Sequence, residues 1–345
     1  MKKLILSASI IALLVSCSTS KNASIDPKID YAEKYAATIT EKDLAKHLFI
    51  YASDEFEGRE TGELGQKKAA AYLKKFYVEQ GIASPLGGDD YYQKVPASFL
   101  NSGRARGLKD SENVVAFIKG SEKPDEIIVI SAHLDHEGIK GGKIYNGADD
   151  DGSGTVAVLE IAEAFQKAVK DGKRPKRSVL FLHVTGEEKG LLGSKFYVEN
   201  PIFPIANTVV NLNIDMVGRI DDRHKDNPNF VYLIGADKLS TELHDLSEAM
   251  NAKYTNISLD YKYNDENDPN RFYYRSDHYN FAKYNVPIIF YFNGTHEDYH
   301  QHTDTPDKIN YDLLENRSRL VFHTAWEIAN RENRLIVDNA TEVKE

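Results

Sequence analysis

Cysteine occurs once in the 345 residues, at Cys17, so no disulfide within the chain can staple the fold. Stability must come from the size of the core instead. The composition supplies one: 41% of residues are hydrophobic and 10% aromatic, as in a globular core-former rather than a disordered chain. Positive charge is short as well. Lys and Arg number 43 against 53 Asp and Glu, and the net charge of -10 argues against the basic face that nucleic-acid binding requires. Tryptophan appears once, at Trp326. There is no internal repeat, and no Pro-, Gly- or Ser-rich linker divides the body, so residues 31–345 read as a single domain. The one long apolar run, Leu4 to Val15, is too short to span a bilayer comfortably.

That run follows the basic Met1-Lys2-Lys3 and ends in Leu14-Val15-Ser16-Cys17, the layout of a secretory leader. The last four residues resemble the lipobox of bacterial lipoproteins, where the cysteine is lipidated after cleavage. The expectation is a signal peptide over residues 1–16, a lipid on Cys17 and a polar tether over residues 17–30. It places the protein in the bacterial cell envelope, anchored to a membrane by its lipid. Ser18 and Thr19, rather than an inner-membrane-retaining aspartate, favour the outer membrane.

Strand and helix patterns alternate through the body. Gln66 to Gln80 has a helical period and is stopped by Gly81; Thr155 to Lys170, Leu239 to Asn251 and Tyr311 to Asn330 also read as helices. Strands are expected at 113–118, 126–131, 178–184, 208–214, 230–234 and 286–292. Ser178 to Val184 is nearly continuous in apolar residues, as in a strand covered on both faces. The fold class is therefore α/β, a three-layer α/β/α sandwich around a mixed, largely parallel sheet. The polar stretch Asn264 to Asn270 reads as an exposed loop.

Five motifs follow these strands, where open α/β sheets place ligands. Ser131-Ala132-His133-Leu134-Asp135-His136 offers a histidine with a nearby carboxylate to hold its second nitrogen. Gly147-Ala148-Asp149-Asp150-Asp151-Gly152-Ser153-Gly154 sets three mutually repelling carboxylates between glycines, a cost that a cation offsets. Thr185-Gly186-Glu187-Glu188 suits a metal ligand beside a general base. Asn213-Ile214-Asp215-Met216-Val217-Gly218 closes a strand with an aspartate, and Asp298-Tyr299-His300-Gln301-His302-Thr303-Asp304 holds two candidate imidazoles. Each motif alone also fits a bland alternative: a solvated turn, a helix cap or a loop histidine.

Together with Arg275-Ser276-Asp277-His278, the ordered set resembles the co-catalytic di-zinc aminopeptidases, a family that includes bacterial leucyl aminopeptidases and is related to glutamate carboxypeptidase and the transferrin receptor. The similarity runs from about Ser53 to Asn330. It implies two Zn2+ per chain bridged by Asp149, one also held by His133 and Asp215, the other by Glu188 and His300. His302 is left as a bystander. It implies Glu187 as the general base on a water bridging the ions, Asp135 as the carboxylate orienting His133, and a cis peptide at Asp149-Asp150. The implied function is a metal-dependent exopeptidase, an aminopeptidase releasing N-terminal residues from peptide substrates. Arg275, Asp277 and His278 resemble a segment near the substrate pocket, and Tyr261, Tyr263, Tyr273, Tyr274 and Tyr279 are candidate lining aromatics. Too few residues separate Gly81 from Asn113 for an inserted lid domain, which suggests an open cleft and short peptides. The alternative is a glutaminyl cyclase, which shares the fold, uses one zinc without His133 and places tryptophan beside the site; Trp326 lies on the final helix, far from every motif. A metal-free binding protein is disfavoured because all five ligands and Glu187 are present.

Overall fold

In the computed structural model, which describes residues 29–340, the apolar runs of the sequence become a sheet buried on both faces. The leader, Cys17 and the tether up to residue 28 lie outside the described residues. The strands are β1 (Tyr92–Val95), β2 (Ser111–Ile118), β3 (Lys123–His133), β4 (Gly138–Lys140), β5 (Lys143–Tyr145), β6 (Arg177–Val184), β7 (Thr208–Ile214), β8 (Phe230–Ile234), β9 (Ser258–Asp260) and β10 (Ile288–Phe292). Eight of them form one sheet in the order β1-β2-β6-β3-β7-β10-β8-β9, while β4 and β5 pair as a separate hairpin. At the centre β6, β3, β7 and β10 are parallel. Antiparallel pairings flank them, β1 with β2, β2 with β6, and β8 with β10. The sheet is mixed with a parallel centre, as the sequence implied.

Side chains along the central strands alternate between two cores. Ile128, Ile130 and Ala132 of β3 and Val179 and Phe181 of β6 pack toward the helices Glu41–Tyr51, Leu64–Gln80, Gly154–Lys170 and Tyr311–Asn330. Their neighbours Ile127, Val129, Leu180, Leu182 and Val184 face the other way, against Tyr197 and Val198 of helix Leu192–Glu199 and Phe281 and Ala282 of helix His278–Ala282. Period-two alternation with both faces apolar is why β6 reads as an unbroken hydrophobic run, and every residue of it is buried. The helix Leu64–Gln80 stops at Gly81, whose φ of 73° is the left-handed cap that glycine adopts without a Cβ penalty. Trp326 packs between Phe165 and Phe322, with ring centroids 5.6 and 5.7 Å away, inside the helical layer.

Parallel strands end on one edge of the sheet. The C-terminal ends of β3, β6, β7 and β10 therefore carry His133, the Gly186-Glu187-Glu188 turn, Asp215 and the loop to His300 to one place.

Candidate active site

The aspartate run lies between the β4–β5 hairpin and helix Gly154–Lys170, and its three carboxylates face three different ways. Asp151 is a brace: its Oδ2 accepts from the His133 amide at 3.0 Å, and its Oδ1 from the amides of Met216 at 3.1 Å and Gly154 at 3.0 Å. It ties the ends of β3 and β7 to the start of the helix. Asp149 is a second brace. Its Oδ1 accepts from the Gly218 amide at 2.7 Å, and its Oδ2 from Asn293 Nδ2 at 3.0 Å and lies 3.1 Å from His296 Nε2. Gly218 is required for that approach, because a Cβ there would lie 2.9 Å from Asp149 Oδ1. The Asp149 amide donates to Asp304 Oδ2 at 2.9 Å, and the Asp150 amide to the same oxygen at 3.2 Å.

Asp150 is left to face the site. Its Oδ1 lies 3.1 Å from His133 Nε2, and its Oδ2 lies 3.0 Å from His300 Nε2 and 4.0 Å from His136 Nδ1. The carboxylate between the two histidines is thus Asp150, and the expectation for Asp149 is corrected by one residue. Three backbone and side-chain donors fully engage the Asp149 carboxylate on the far side. The non-proline cis peptide is likewise displaced by one bond, to Asp150-Asp151.

The other expected ligands converge on Asp150. His133 Nε2 is 3.7 Å from Asp215 Oδ1, while Asp215 Oδ2 accepts from Ser276 Oγ at 2.6 Å. His300 Nε2 is 3.3 Å from Glu188 Oε2. Two groups of donors result: His133, Asp150 and Asp215 on one side, and Asp150, Glu188 and His300 on the other, with His136 and Glu137 also within reach of Glu188. His302 stands apart, its ring 6.1 Å from that of Tyr145.

These residues fit a metal. His133 Nε2, Asp150 Oδ2, both ring nitrogens of His136 and Glu188 Oε1 are buried without a properly aligned hydrogen bond. Buried polar atoms rarely go unpaired. Lone-pair atoms about 3 Å apart that do not align on one another are the disposition of donors that converge on a cation. The set is imidazole and carboxylate with no thiolate, which suits zinc. Burial opposes the charge on Asp150, but His133 and His300 outweigh it and hold the carboxyl well below its usual range. Burial pushes Glu188 up to about 8, aided by the Asp150 charge. Burial also raises Glu187 well above the ordinary glutamate range, and Glu188 and Asp215 add to the rise.

Asp135 acts differently from expectation. His133 Nδ1 lies 3.0 Å from the Asp135 backbone oxygen and 3.9 Å from its carboxylate. The carboxylate instead accepts from Thr61 Oγ1 at 2.7 Å and from the Glu187 amide at 3.1 Å. Asp135 therefore orients His133 through its carbonyl and fixes the Glu187 turn with its side chain.

A cavity opens beside the donors. It is lined by Asp150, Glu187, Asp215, Met216, Phe272, Arg275, Phe290, Phe292, Tyr299 and His300. Of the expected pocket segment, only Arg275 reaches it, donating to Tyr299 Oη at 3.2 Å. Asp277 and His278 are fully buried beneath; His278 Nε2 lies 2.8 Å from the Tyr273 carbonyl and its ring stacks on Phe290. Burial drives Asp277 up to about 7. None of the five candidate tyrosines lines the cavity. Tyr263, Tyr273 and Tyr274 instead border a separate groove with Lys238, Asp265 and Arg271.

Residues that sequence reasoning passed over hold the site together. Arg59 is buried and donates to the carbonyls of Leu134, Tyr51, Asn146 and Gly147, clamping the segments on either side of His133 and Asp149. The loop bearing His300 is anchored by Asp298, which accepts from Arg219 at 3.0 Å and Lys308 at 2.6 Å. Met216 and His300 both sit at positive φ, 59° and 55°, a conformation that costs energy and recurs at functional sites.

An α/β sheet whose parallel strand ends gather two carboxylate–imidazole sets defines a metallohydrolase-like centre. Its family is given by a direct match: residues 113–325 fit the model described as Peptidase family M28, and the chain belongs to that family. Over 300 residues it is 27% identical to leupeptin-inactivating enzyme 1 of Streptomyces exfoliatus, covering 81% of this chain and 59% of that one. The chain spans less than two thirds of that relative's length, and only 14% of the length of others matched over shorter stretches. Among solved structures, the LapA aminopeptidase of Legionella pneumophila superposes with a TM-score of 0.65 at 22% identity, over 88% of this chain and 75% of that one. The glutaminyl cyclase of Porphyromonas gingivalis superposes with a TM-score of 0.63 at 16% identity, over 84% of this chain and 98% of that one. Both establish the fold.

Proposed function

We propose that this protein is a zinc-dependent aminopeptidase whose centre would hold two ions, with Asp150 offering one carboxylate oxygen to each side. The observation that carries the reading is the placement of Asp150, with one carboxylate oxygen 3.1 Å from His133 and the other 3.0 Å from His300. One ion would be held by His133, Asp150 and Asp215, the other by Asp150, Glu188 and His300. When bound, such ions supply electrophilic polarisation of the scissile carbonyl and acidify a water. Glu187 takes the proton from that water on its carboxylate and returns it to the departing amine. Burial holds the Glu187 carboxyl above the ordinary glutamate range, which favours its keeping the proton between the two transfers.

The cavity supports an aminopeptidase that prefers apolar residues. Met216, Phe272, Phe290 and Phe292 offer an apolar lining beside the metal donors Asp150 and Asp215 and the base Glu187. Arg275 is the single cation in that lining and is already engaged with Tyr299. A one-zinc glutaminyl cyclase is less well supported, because His133 faces Asp150 and the sole tryptophan is packed in the helical layer. The Leu14-Val15-Ser16-Cys17 motif supports lipidation at Cys17 and a place in the cell envelope, most simply the outer membrane. Among the described residues no helix is long and apolar enough to cross a membrane.

A panel of aminoacyl chromogenic substrates, with and without a chelator, tests the reading. Leucyl and phenylalanyl substrates should be cleaved fastest, and cleavage should vanish with chelator and return with zinc. Cyclisation of N-terminal glutamine without release of any residue would sink it.

A further inference from the structure

Glu187 and Glu188 sit on the loop between β6 and helix Leu192–Glu199, and a buried side chain from β2 closes the base of that loop. The ladder between β2 and β6 ends at Val114 and His183. Beyond it the Asn113 side chain takes over. Its Oδ1 accepts from the Thr185 amide at 3.0 Å, and its Nδ2 donates to the Gly193 carbonyl at 3.0 Å and to Gln93 Oε1 at 2.9 Å. Backbone polarity fixes the orientation of this amide: its oxygen must meet the Thr185 N–H, and its NH2 must meet the Gly193 carbonyl. Asn113 and Thr185 are both fully buried, so neither can turn to water instead. The two ends of the loop nearly touch. A Cβ on Gly193 would lie 2.1 Å from the Thr185 oxygen and 2.6 Å from Asn113 Oδ1. Gln93 of β1 extends the fastening, its Nε2 donating at 2.8 Å to the carbonyl of Asn200, which caps the far end of the helix.

We propose that Asn113 is a positioning residue for hydrolysis: by holding Thr185 to Gly193 it sets where Glu187 and Glu188 stand in the centre. The inference rests on the reading above, in which Glu187 is the base and Glu188 a ligand. Two anchors divide the work. Asp135 Oδ1 holds the tip of the loop through the Glu187 amide at 3.1 Å, and Asn113 holds its base. Without the Asn113 amide, the Thr185 N–H and the Gly193 carbonyl are left buried and unpaired. The base must then open to satisfy them, and the tip pivots on its remaining bond. A displacement of about 1 Å at a reacting group can cost about 100-fold in rate. A role confined to stability would lower the melting temperature and leave kcat of the folded protein unchanged.

The experiment measures kcat and KM for a leucyl substrate at saturating zinc across pH, with thermal melting, for wild type, Asn113→Ala and Asn113→Asp. Asn113→Ala should lower kcat about 10- to 100-fold with KM little changed. Asn113→Asp carries a built-in rescue. Protonated, its carboxyl accepts and donates as the amide does; ionised, it can only accept, and it sets a charge against the Gly193 carbonyl. Its kcat relative to wild type at the same pH should therefore be near one in acid and fall toward the alanine value as pH climbs. Taking the ratio removes the titration of the centre itself. In wild type the Thr185 amide should exchange with solvent as slowly as the amides of β6, a readout that stands even if a variant fails to fold. An alanine variant that melts lower yet keeps the wild-type kcat, while wild type shows zinc-dependent hydrolysis, overturns this inference alone. An aspartate variant whose ratio does not fall with pH, or fast exchange at Thr185, also overturns it. A wild type without zinc-dependent hydrolysis overturns both this inference and the reading on which it rests.

Discussion

Asp149 and Asp150 are adjacent and both buried, yet their replacement by asparagine should affect zinc binding in different ways. In Asp149→Asn the amide keeps one oxygen for the Gly218 amide and turns its NH2 toward Asn293 Nδ2 and His296 Nε2, where the carboxylate accepts now. Leaving a buried donor unsatisfied costs about 1–3 kcal/mol, so the loss should total roughly 2–4 kcal/mol. In a domain of this size that lowers the melting temperature by roughly 3–6 °C. Zinc uptake should persist. In Asp150→Asn the carboxylate held by His133 and His300 is lost, so the metal-free protein should also lose some stability, and the readout that separates the two variants is zinc uptake. Zinc affinity should fall by more than about 100-fold, beyond the loss usual for a partner that only orients a ligand. Thermal unfolding of metal-free protein and a zinc competition titration read the two effects separately. A Asp149→Asn protein of normal stability that no longer binds zinc would refute the assignment.

Other consequences are as open to measurement. Glu187→Gln should lower kcat by about 10²- to 10⁴-fold while zinc content stays at the wild-type level, because the side chain moves protons and is not asked to hold metal; steady-state kinetics beside metal analysis would show it, and unaltered kcat would remove Glu187 from the base role. Glu160, buried beside His47 with Nε2 3.5 Å from its Oε1, is pushed by burial up to about 8. A carboxyl raised on folding stabilises the protein fully below its unfolded pKa, and that contribution is lost as pH climbs from about 4.5 to about 8, on the order of 5 kcal/mol in all. Denaturant titrations at pH 5 and pH 8.5 should therefore show wild type losing stability relative to Glu160→Gln; parallel curves for the two proteins would contradict this.

Much of the fold was legible because its strands are buried on both sides. The runs at 178–184, 208–214 and 230–234 match β6, β7 and β8 within a residue, since continuous apolar strands bounded by turns leave little choice. Edge elements were not legible. β1 has four residues and β9 three, too short to establish a period, and the helix Glu41–Tyr51 is marked chiefly by its Thr40 cap, whose side chain accepts from the Asp43 amide.

The site was legible in its motifs and not in its register. The sequence shows three aspartates between glycines, but which of them faces the site depends on donors that arrive from far away: Gly218, Asn293, His296 and Met216. Those donors claim Asp149 and Asp151 and leave Asp150. The same reason hid Arg59, whose four carbonyl partners come from three segments of the chain. Arg275-Ser276-Asp277-His278 held a usable signal, but its most consequential member is Ser276, which steadies Asp215.

The central claim is that Asp150 bridges two zinc ions, and crystals of the zinc-loaded protein measured at the zinc absorption edge would test it most directly. The account predicts two anomalous peaks, one flanked by His133, Asp215 and Asp150 Oδ1, the other by Glu188, His300 and Asp150 Oδ2. A single peak, or a peak coordinated by Asp149, would contradict it.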